Sequence, residues 1–324
     1  MIAWLVLLWG MGFGCAGGAR HPSQIDDLQV VAMVASFPSI TAGSSVDLTL
    51  HVASPRANVP IEAMIWSCTP NALLSGDDST LLSECVEEEL VRSGTLDEDD
   101  LIPVIRTGEF APGQIQLSTR IPDGISSVLR DLDGETVSVF IYALVCEQGQ
   151  CPLIQQVSQE ITENNGLSNE TRKQLSDPGG LLVGLPSEGV TLTQRALRIL
   201  NANQPINTNP DFEPRFLDAN EQVVTSLEVT EVLELELDDD GTVGLNFLVT
   251  DAEGDRPYAY AYTTAGQFIE RRVRADIKSG QPNNYDVRHF LVPPAGEGSG
   301  QVYVVFDDRE GGAAVWWRNF TIVE

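Results

Sequence analysis

Acidic side chains at alternate positions of one short segment are the first candidates for chemistry in this sequence. Asp251, Glu253 and Asp255 offer three hard oxygen ligands, the type that Ca²⁺ takes in proteins. Asp307 and Asp308 would add further oxygens if their loop meets this segment at the same end of the fold. The same residues also suit Asx and glycine turns without a metal. Calcium is therefore the one candidate cofactor, and a metal-free turn is the alternative.

Other titratable residues do not form a recognised catalytic or metal motif. When Glu236, Asp238 and Asp240 are aligned with the first ligands of an EF-hand loop, Phe247 stands where the bidentate glutamate is required. The run 238–241 therefore does not fit an EF-hand. It predicts an acidic hairpin turn instead, with Asp-Gly at the tip. The three histidines, His21, His51 and His289, lie outside any G-x-S-x-G or H-E-x-x-H pattern. We therefore expect no enzyme, with a hydrolytic triad assembled from distant residues as the alternative.

Adjacent tryptophans and a row of tyrosines form a candidate binding surface. Trp316 and Trp317 would face opposite sides of a strand, so one of them is expected in the core. The other, with Tyr258, Tyr260 and Tyr262, could form an exposed aromatic platform for a carbohydrate or a protein. Packing in the core or at a sheet edge is the alternative.

Cys15 ends a short apolar run and begins the small-residue stretch 15–19. The apolar residues 2–9 are far fewer than the roughly 20 that span a bilayer, and they suit the apolar region of a secretory signal. The combination resembles a bacterial lipoprotein signal. That resemblance implies a signal peptide at 1–14, lipidation of Cys15 and a tether over 15–25, with the membrane as partner through the lipid. A cleaved secretory signal and a buried core segment are the alternatives.

Composition and the residue after Cys15 bear on partners and localisation. The 324 residues include 47 acidic and 19 basic ones, and the net charge of −28 repels nucleic acid and anionic lipid headgroups. A solvated acidic surface is expected, and a cationic partner is the alternative. Ala16 favours the outer membrane, by analogy with lipoprotein sorting rules. We therefore expect a place in the bacterial cell envelope and no nucleic-acid partner.

Short alternating and β-branched segments between Gly, Pro, Asn and Asp residues predict an all-β protein. The predicted strands are 28–34, 45–52, 61–68, 114–119, 135–145, 190–200, 232–237, 242–250, 258–262, 267–274, 286–292, 301–306 and 313–323. Helices are predicted at 79–90 and at 168–175, the second with Ser168 as its N-cap. An Asn- and Pro-rich linker at 201–210 divides the chain into a first domain, 26–200, and a second, 211–324.

Turn motifs in both predicted domains resemble PKD and related immunoglobulin-like repeats. The motifs are Asp251–Asp255, Tyr258–Tyr260, Thr264–Gly266 and Asp308–Gly312 in the second domain, and Phe37–Pro38, Ala42–Leu48 and Trp66–Pro70 in the first. The resemblance implies two tandem immunoglobulin-like β-sandwiches after the lipoprotein signal. Together, the two units resemble surface lipoproteins of predatory or fruiting deltaproteobacteria of myxobacterial type.

Four cysteines follow Cys15, and an even number in an exported chain predicts two disulfides with three possible connectivities. The sandwich resemblance puts Cys68 and Cys146 at opposite ends of neighbouring antiparallel strands. It therefore implies the local pairs Cys68–Cys85 and Cys146–Cys151. Zinc is the alternative, but the spacing of Cys68 and Cys85 does not supply the close pair that structural zinc sites use.

The resemblance also implies a function. Such proteins are surface, adhesive or scaffold proteins, so we expect a non-catalytic, lipid-anchored protein that binds another protein or a glycan. The alternative is a carbohydrate-binding or accessory module of a secreted or surface system. An exposed aromatic row would favour this alternative, whereas a buried Trp316–Trp317 pair and the lack of a concave pocket would count against it.

Overall fold

The computed structural model of the chain describes 18 strands, three helices and several of their connections. The described residues are 22–37, 39–56, 59–68, 104–109, 113–121, 137–164, 166–186, 188–200, 215–217, 232–250, 256–277, 284–294, 298–307 and 312–323. Cys15 and Cys85 lie outside these ranges.

A three-stranded and a five-stranded sheet form the first sandwich. Its strands are β1 (Gln29–Ala35), β2 (Ser39–Thr41), β3 (Ser45–Ala53), β4 (Pro60–Cys68), β5 (Val104–Glu109), β6 (Gly113–Arg120), β7 (Val137–Glu147) and β8 (Val190–Leu200). The strand orders are β1-β3-β6 and β2-β8-β7-β4-β5. Alternate residues of β3, Val46, Leu48 and Leu50, are fully buried in the core. The alternation that predicted this strand therefore supplies the inner face of its sheet.

The second sandwich is built from two further sheets. Its strands are β9 (Arg215–Leu217), β10 (Val232–Glu236), β11 (Val243–Thr250), β12 (Tyr258–Thr263), β13 (Gln267–Phe268), β14 (Arg272–Arg274), β15 (Asp276–Ile277), β16 (Asn284–Val292), β17 (Ser299–Asp307) and β18 (Ala313–Val323). The orders are β10-β18-β17-β12-β14 and β13-β16-β11-β9, with β15 also beside β16. Phe247, Phe306 and Phe320 fill the core between them. The predicted all-β sandwich fold is thus confirmed.

Three helices cover the outer face of the five-stranded sheet of the first sandwich. They are α1 (Pro152–Asn164), α2 (Asn169–Leu175) and α3 (Pro178–Gly184). The Trp66 Nε1–H group donates to the Leu175 carbonyl at 3.0 Å, which ties α2 to β4. The predicted helix at 168–175 is confirmed with its cap, because the Thr171 amide donates to Ser168 Oγ at 3.2 Å. No helix was predicted from the sequence at the position of α1.

The predicted Asp-Gly hairpin is wrong, although its turn is formed. The Asp238 amide donates to the Thr242 carbonyl at 2.7 Å, and Gly241 adopts a φ of 78°. However, β10 pairs in parallel with β18, whereas β11 pairs with β9 and β16 in the opposite sheet. The turn therefore passes the chain from one sheet to the other.

The predicted strand at 267–274 is also wrong as a single element. The chain pairs with β16 at β13, crosses to pair with β12 at β14, and returns to β16 at β15. These crossings place Arg271 and Arg272 on the side of the second sandwich that carries β12.

Candidate functional site at the junction of the two sandwiches

The two adjacent tryptophans of β18 lie on opposite faces of their sheet, as the period of a strand requires. Trp316 points into the second core, where its ring meets Phe247 edge-on with centroids 4.9 Å apart. Trp317 points towards the first sandwich and stacks on Tyr303 with centroids 6.1 Å apart. Their exposed fractions are 7% and 4%, so neither tryptophan is the exposed platform residue considered from the sequence.

Trp317 belongs to an apolar cluster that joins the two sandwiches. This junction cluster consists of Ile25, Val31, Ala53, Tyr262, Tyr303, Val305 and Trp317. Val31 enters it because β1 changes register on β3 between Val30 and Ala32. A β-bulge of this kind redirects a side chain, and here it points Val31 away from its own core. The sandwiches are therefore packed through buried side chains as well as joined by the chain.

The segment immediately before β1 hydrogen-bonds to the second sandwich. The Ile25 amide donates to the Thr263 carbonyl at 2.7 Å, and the Thr263 amide donates to the Ser23 carbonyl at 2.9 Å. The Phe268 amide donates to Ser23 Oγ at 2.9 Å. Residues 23–25, the last three of the predicted tether, are thus fixed at the junction before the chain enters the first sandwich.

Tyr303 adds a polar contact across the junction. Its hydroxyl lies 3.5 Å from the Val52 carbonyl and donates to Gln301 Oε1 at 3.0 Å. Burial raises the pKa of Tyr303. The phenol therefore stays protonated and serves as a hydrogen-bond donor inside the interface.

Arginines cover the tyrosine row that the sequence suggested as a platform. The Arg272 guanidinium carbon lies 3.9 Å from the Tyr258 ring centroid and 5.7 Å from that of Tyr260. The Arg271 carbon lies 4.7 Å from the Tyr262 ring centroid, and Arg271 Nη2 donates to the Tyr262 hydroxyl at 2.6 Å. Cation–π contacts of this type hold both partners in place. One face of each of these rings is therefore occupied from within the protein.

A cleft of about 450 Å³ lies beside the junction cluster and is lined by both sandwiches. We call it the junction cleft; residues that define it are Met33, Gln194, Arg195, Tyr260, Arg271 and Asp307. The Arg195 Nη1–H group donates to the Met33 carbonyl at 2.5 Å, which bridges β8 and β1. Arg271 Nε and Gln194 Oε1 are buried, and neither atom has a hydrogen-bond partner among the described residues. Of the tyrosines and tryptophans suggested from sequence, Tyr260 and Tyr262 line this cleft directly.

Most of the residues predicted to bind calcium lie outside the described residues. Asp251, Glu253, Asp255 and Asp308 are not described, whereas Asp307 ends β17 and lines the junction cleft. Within the described ranges, no group of three or more His, Cys, Asp or Glu residues is arranged to hold a metal ion. Calcium binding by the undescribed segment stays a prediction.

In the acidic turn before β11, the Asp240 carboxylate is hydrogen-bonded within the turn itself. Asp240 Oδ1 accepts hydrogen bonds from the Thr242 amide at 3.0 Å and from Thr242 Oγ1 at 2.7 Å. These hydrogen bonds lower the pKa of Asp240. The carboxylate is thus used to close the turn, which is the role predicted for this run.

Two of the three histidines are buried in strands. His51 and His289 are 4% and 1% exposed, and burial lowers the pKa of each imidazole to about 4. His289 Nδ1 lies 3.3 Å from the Glu270 carbonyl, and Phe268 packs edge-on against the imidazole ring. Both side chains are therefore neutral at pH 7.

A disulfide joins Cys146 at the end of β7 to Cys151 before α1, with Cα atoms 6.0 Å apart. This is one of the two pairs that the sandwich topology implied. In the β4–β7 ladder Cys68 is opposite Phe140, whereas Cys146 is opposite Glu62. Cys68 and Cys146 therefore lie at opposite ends of the ladder, as predicted. Pairing of Cys68 with Cys85 stays a prediction.

No family model and no curated protein matches this chain. Among solved structures, it is similar to red sea bream transglutaminase at 9% identity and a TM-score of 0.25, covering 93% of this chain and 32% of that one. It is similar to Escherichia coli alpha-2-macroglobulin activated by porcine elastase at 7% identity and a TM-score of 0.23, covering 94% and 22%. It also aligns with a protein of unknown function from Porphyromonas gingivalis W83 at 9% identity and a TM-score of 0.21, covering 92% and 100%.

The chain spans about a third or less of the first two of these structures. Likeness at this level concerns the fold alone. Separately, none of the helices in the described ranges is long and apolar enough to cross a membrane.

Proposed function

We propose that this is a non-catalytic, lipid-anchored surface protein that acts in adhesion or envelope scaffolding. A lipid on Cys15 would hold it at the bacterial outer membrane, and its partner would be a protein or a glycan. The observation that carries the proposal is the position of residues 23–25, the end of the proposed tether, which hydrogen-bond to the second sandwich. A tether fixed at the junction would act on both sandwiches together.

The length of the tether limits the distance between the junction and the membrane surface. Seven residue steps separate Cys15 from Pro22, and a fully extended chain of that length reaches about 25 Å. The junction would therefore lie within that distance of the membrane surface. Both sandwiches would then stand side by side near the membrane, where their loops can meet a partner. One acyl chain anchors only marginally, so we expect Cys15 to carry more than one.

Two further observations support a non-catalytic role without nucleic acid. The buried His51 and His289 are poorly placed to act as general bases on a substrate. The net charge of −28 opposes a phosphate backbone.

A second candidate function, a carbohydrate-binding or accessory module, is favoured by one observation. The junction cleft is a concave pocket with polar groups from both sandwiches. The tryptophans do not support this candidate, because both are buried. We therefore rank it second.

Metabolic labelling with a palmitate analogue tests the proposed anchor. We expect wild-type protein to be labelled and to fractionate with the envelope, and Cys15→Ser to lose both properties. The double variant Cys146→Ser/Cys151→Ser is the matched control, because it removes two thiols but keeps Cys15, and it should be labelled. Unlabelled wild-type protein in the culture medium would refute the proposal.

A further inference from the structure

The junction cleft has the size and position of a ligand site. Its volume of about 450 Å³ falls within the roughly 300–1,000 Å³ of small-molecule sites, which often lie between domains. β1 and β8 supply one wall, and the second sandwich supplies the other through Tyr260, Arg271 and Asp307. A molecule bound there would touch both sandwiches at once.

The charge of the cleft is opposite to that of the protein as a whole. Arg195 and Arg271 contribute two positive charges, and Asp307 contributes one negative charge. The described residues of the lining therefore carry a net charge of +1, while the chain carries −28. A small anion would find an attractive site only where such local cations outweigh the acidic field around them.

The two arginines are held in place before any ligand arrives. Arg195 donates to the Met33 carbonyl at 2.5 Å. Arg271 is fixed by the ring of Tyr262 and by its hydroxyl at 2.6 Å. Fixed guanidinium groups lose little conformational entropy when they bind a carboxylate, and their planar geometry matches it.

The buried polar atoms of the cleft lining that lack a hydrogen bond among the described residues include a donor and an acceptor. Arg271 Nε is a donor, and Gln194 Oε1 is an acceptor. Buried polar groups without partners are costly in free energy. A ligand that brings both an acceptor and a donor would relieve this cost after a small adjustment of the two side chains.

We propose that the junction cleft binds a small carboxylate-bearing ligand, with the carboxylate on Arg195 and Arg271 and a hydroxyl or amide donor on Gln194. Two sources share this chemistry, a sugar acid and the carboxyl end of a short peptide. The proposal does not depend on the anchor at Cys15.

Isothermal titration of the full-length protein tests the site with D-glucuronate and with N-acetyl-glycylglycine. D-glucose and N-acetyl-glycylglycinamide are the neutral controls. We expect saturable binding of at least one carboxylate, about tenfold or more tighter than its neutral control. Preference for one of the two carboxylates identifies the source of the ligand.

Variants then assign the binding to the cleft. Arg271→Gln and Arg195→Gln should each weaken binding about tenfold or more. Arg274→Gln is the matched control, because Arg274 lies 6.0 Å from the Tyr258 ring and does not line the cleft. If Arg271→Gln fails to fold by circular dichroism, Arg195→Gln carries the test.

Three results would overturn the proposal. They are no saturable binding of either carboxylate up to about 10 mM, equal binding of the neutral controls, and unchanged affinity in the folded arginine variants.

Discussion

Trp316 and Trp317 are neighbours in the chain, yet they stabilise different parts of the molecule. Trp316 packs on Phe247 in the second core, whereas Trp317 packs on Tyr303 between the sandwiches. The period of a strand explains this division, since adjacent residues face opposite sides of the sheet.

Replacing each tryptophan by alanine should therefore have a different effect. Each change should cost about 3–5 kcal/mol, the usual cost of removing a buried Trp side chain. By calorimetry, we expect Trp317→Ala to unfold in two separate transitions, because the sandwiches lose their coupling. Trp316→Ala should lower the stability of the second sandwich and leave the junction intact. A single, unshifted transition for Trp317→Ala would show that the junction is not a stabilising interface.

The buried histidines predict a pH-dependent stability. Folding lowers the pKa of His51 and His289 from 6.5 to about 4. The unfolded chain therefore binds protons first as the pH falls, so stability is full above pH 6.5 and declines between 6.5 and about 4. At about pH 5 each histidine should cost up to about 2 kcal/mol. Urea unfolding at about pH 7 and about pH 5 measures this loss. His51→Gln should reduce the difference, and an identical pH response in that variant would exclude His51 as a cause.

At the residue scale, the cation–π contacts of the tyrosine row could be predicted from the sequence, whereas the assembly of the junction cluster could not. Tyr258 and Tyr260 alternate on one strand, and their cross-strand partners are Arg274 and Arg272. This alternation of aromatic and basic residues could have predicted the cation–π contacts. The role of Val31 could not be predicted, because it depends on a bulge and on a partner surface from the distant second sandwich.

At the scale of elements, local pattern predicted strands well and their pairing poorly. The Asp-Gly turn before β11 was identified correctly, but its flanking strands belong to different sheets. A turn determines the local bend of the chain, whereas long-range pairing decides which sheet each strand joins. For α1 the signal was present, because Ile154, Val157 and Ile161 recur at helical spacing and pack on the sheet.

The Cys146–Cys151 disulfide connects the end of β7 to the start of α1, and both cysteines are buried at 1% exposure or less. It closes a short loop, for which the chain-entropy model gives about 2 kcal/mol of stabilisation. We expect Cys146→Ala/Cys151→Ala to lose about this free energy of unfolding in urea. Adding reductant to the wild type should reproduce the loss, and the double variant should not respond to reductant. Wild-type stability in the double variant would contradict a structural role for this bond.

At the scale of the whole molecule, two acidic sandwiches are in fixed contact, and the proposed tether leads into their junction. The buried cluster around Trp317 and the hydrogen bonds of residues 23–25 carry this arrangement. The anchor and the ligand of the junction cleft are proposals that build on it. The sequence could predict two sandwiches, but not their contact, because the contact joins side chains that have no local pattern in common.

Hydrogen exchange followed by mass spectrometry tests this contact most directly. The Ile25 and Thr263 amides donate across the junction, so peptides covering 22–28 and 258–268 should both be protected in the wild type. In Trp317→Ala, the 22–28 peptide should lose its protection, while peptides from β3 and β11 stay protected. Free exchange of the 22–28 peptide in the wild type would contradict the account, because the end of the tether would then not be bound at the junction.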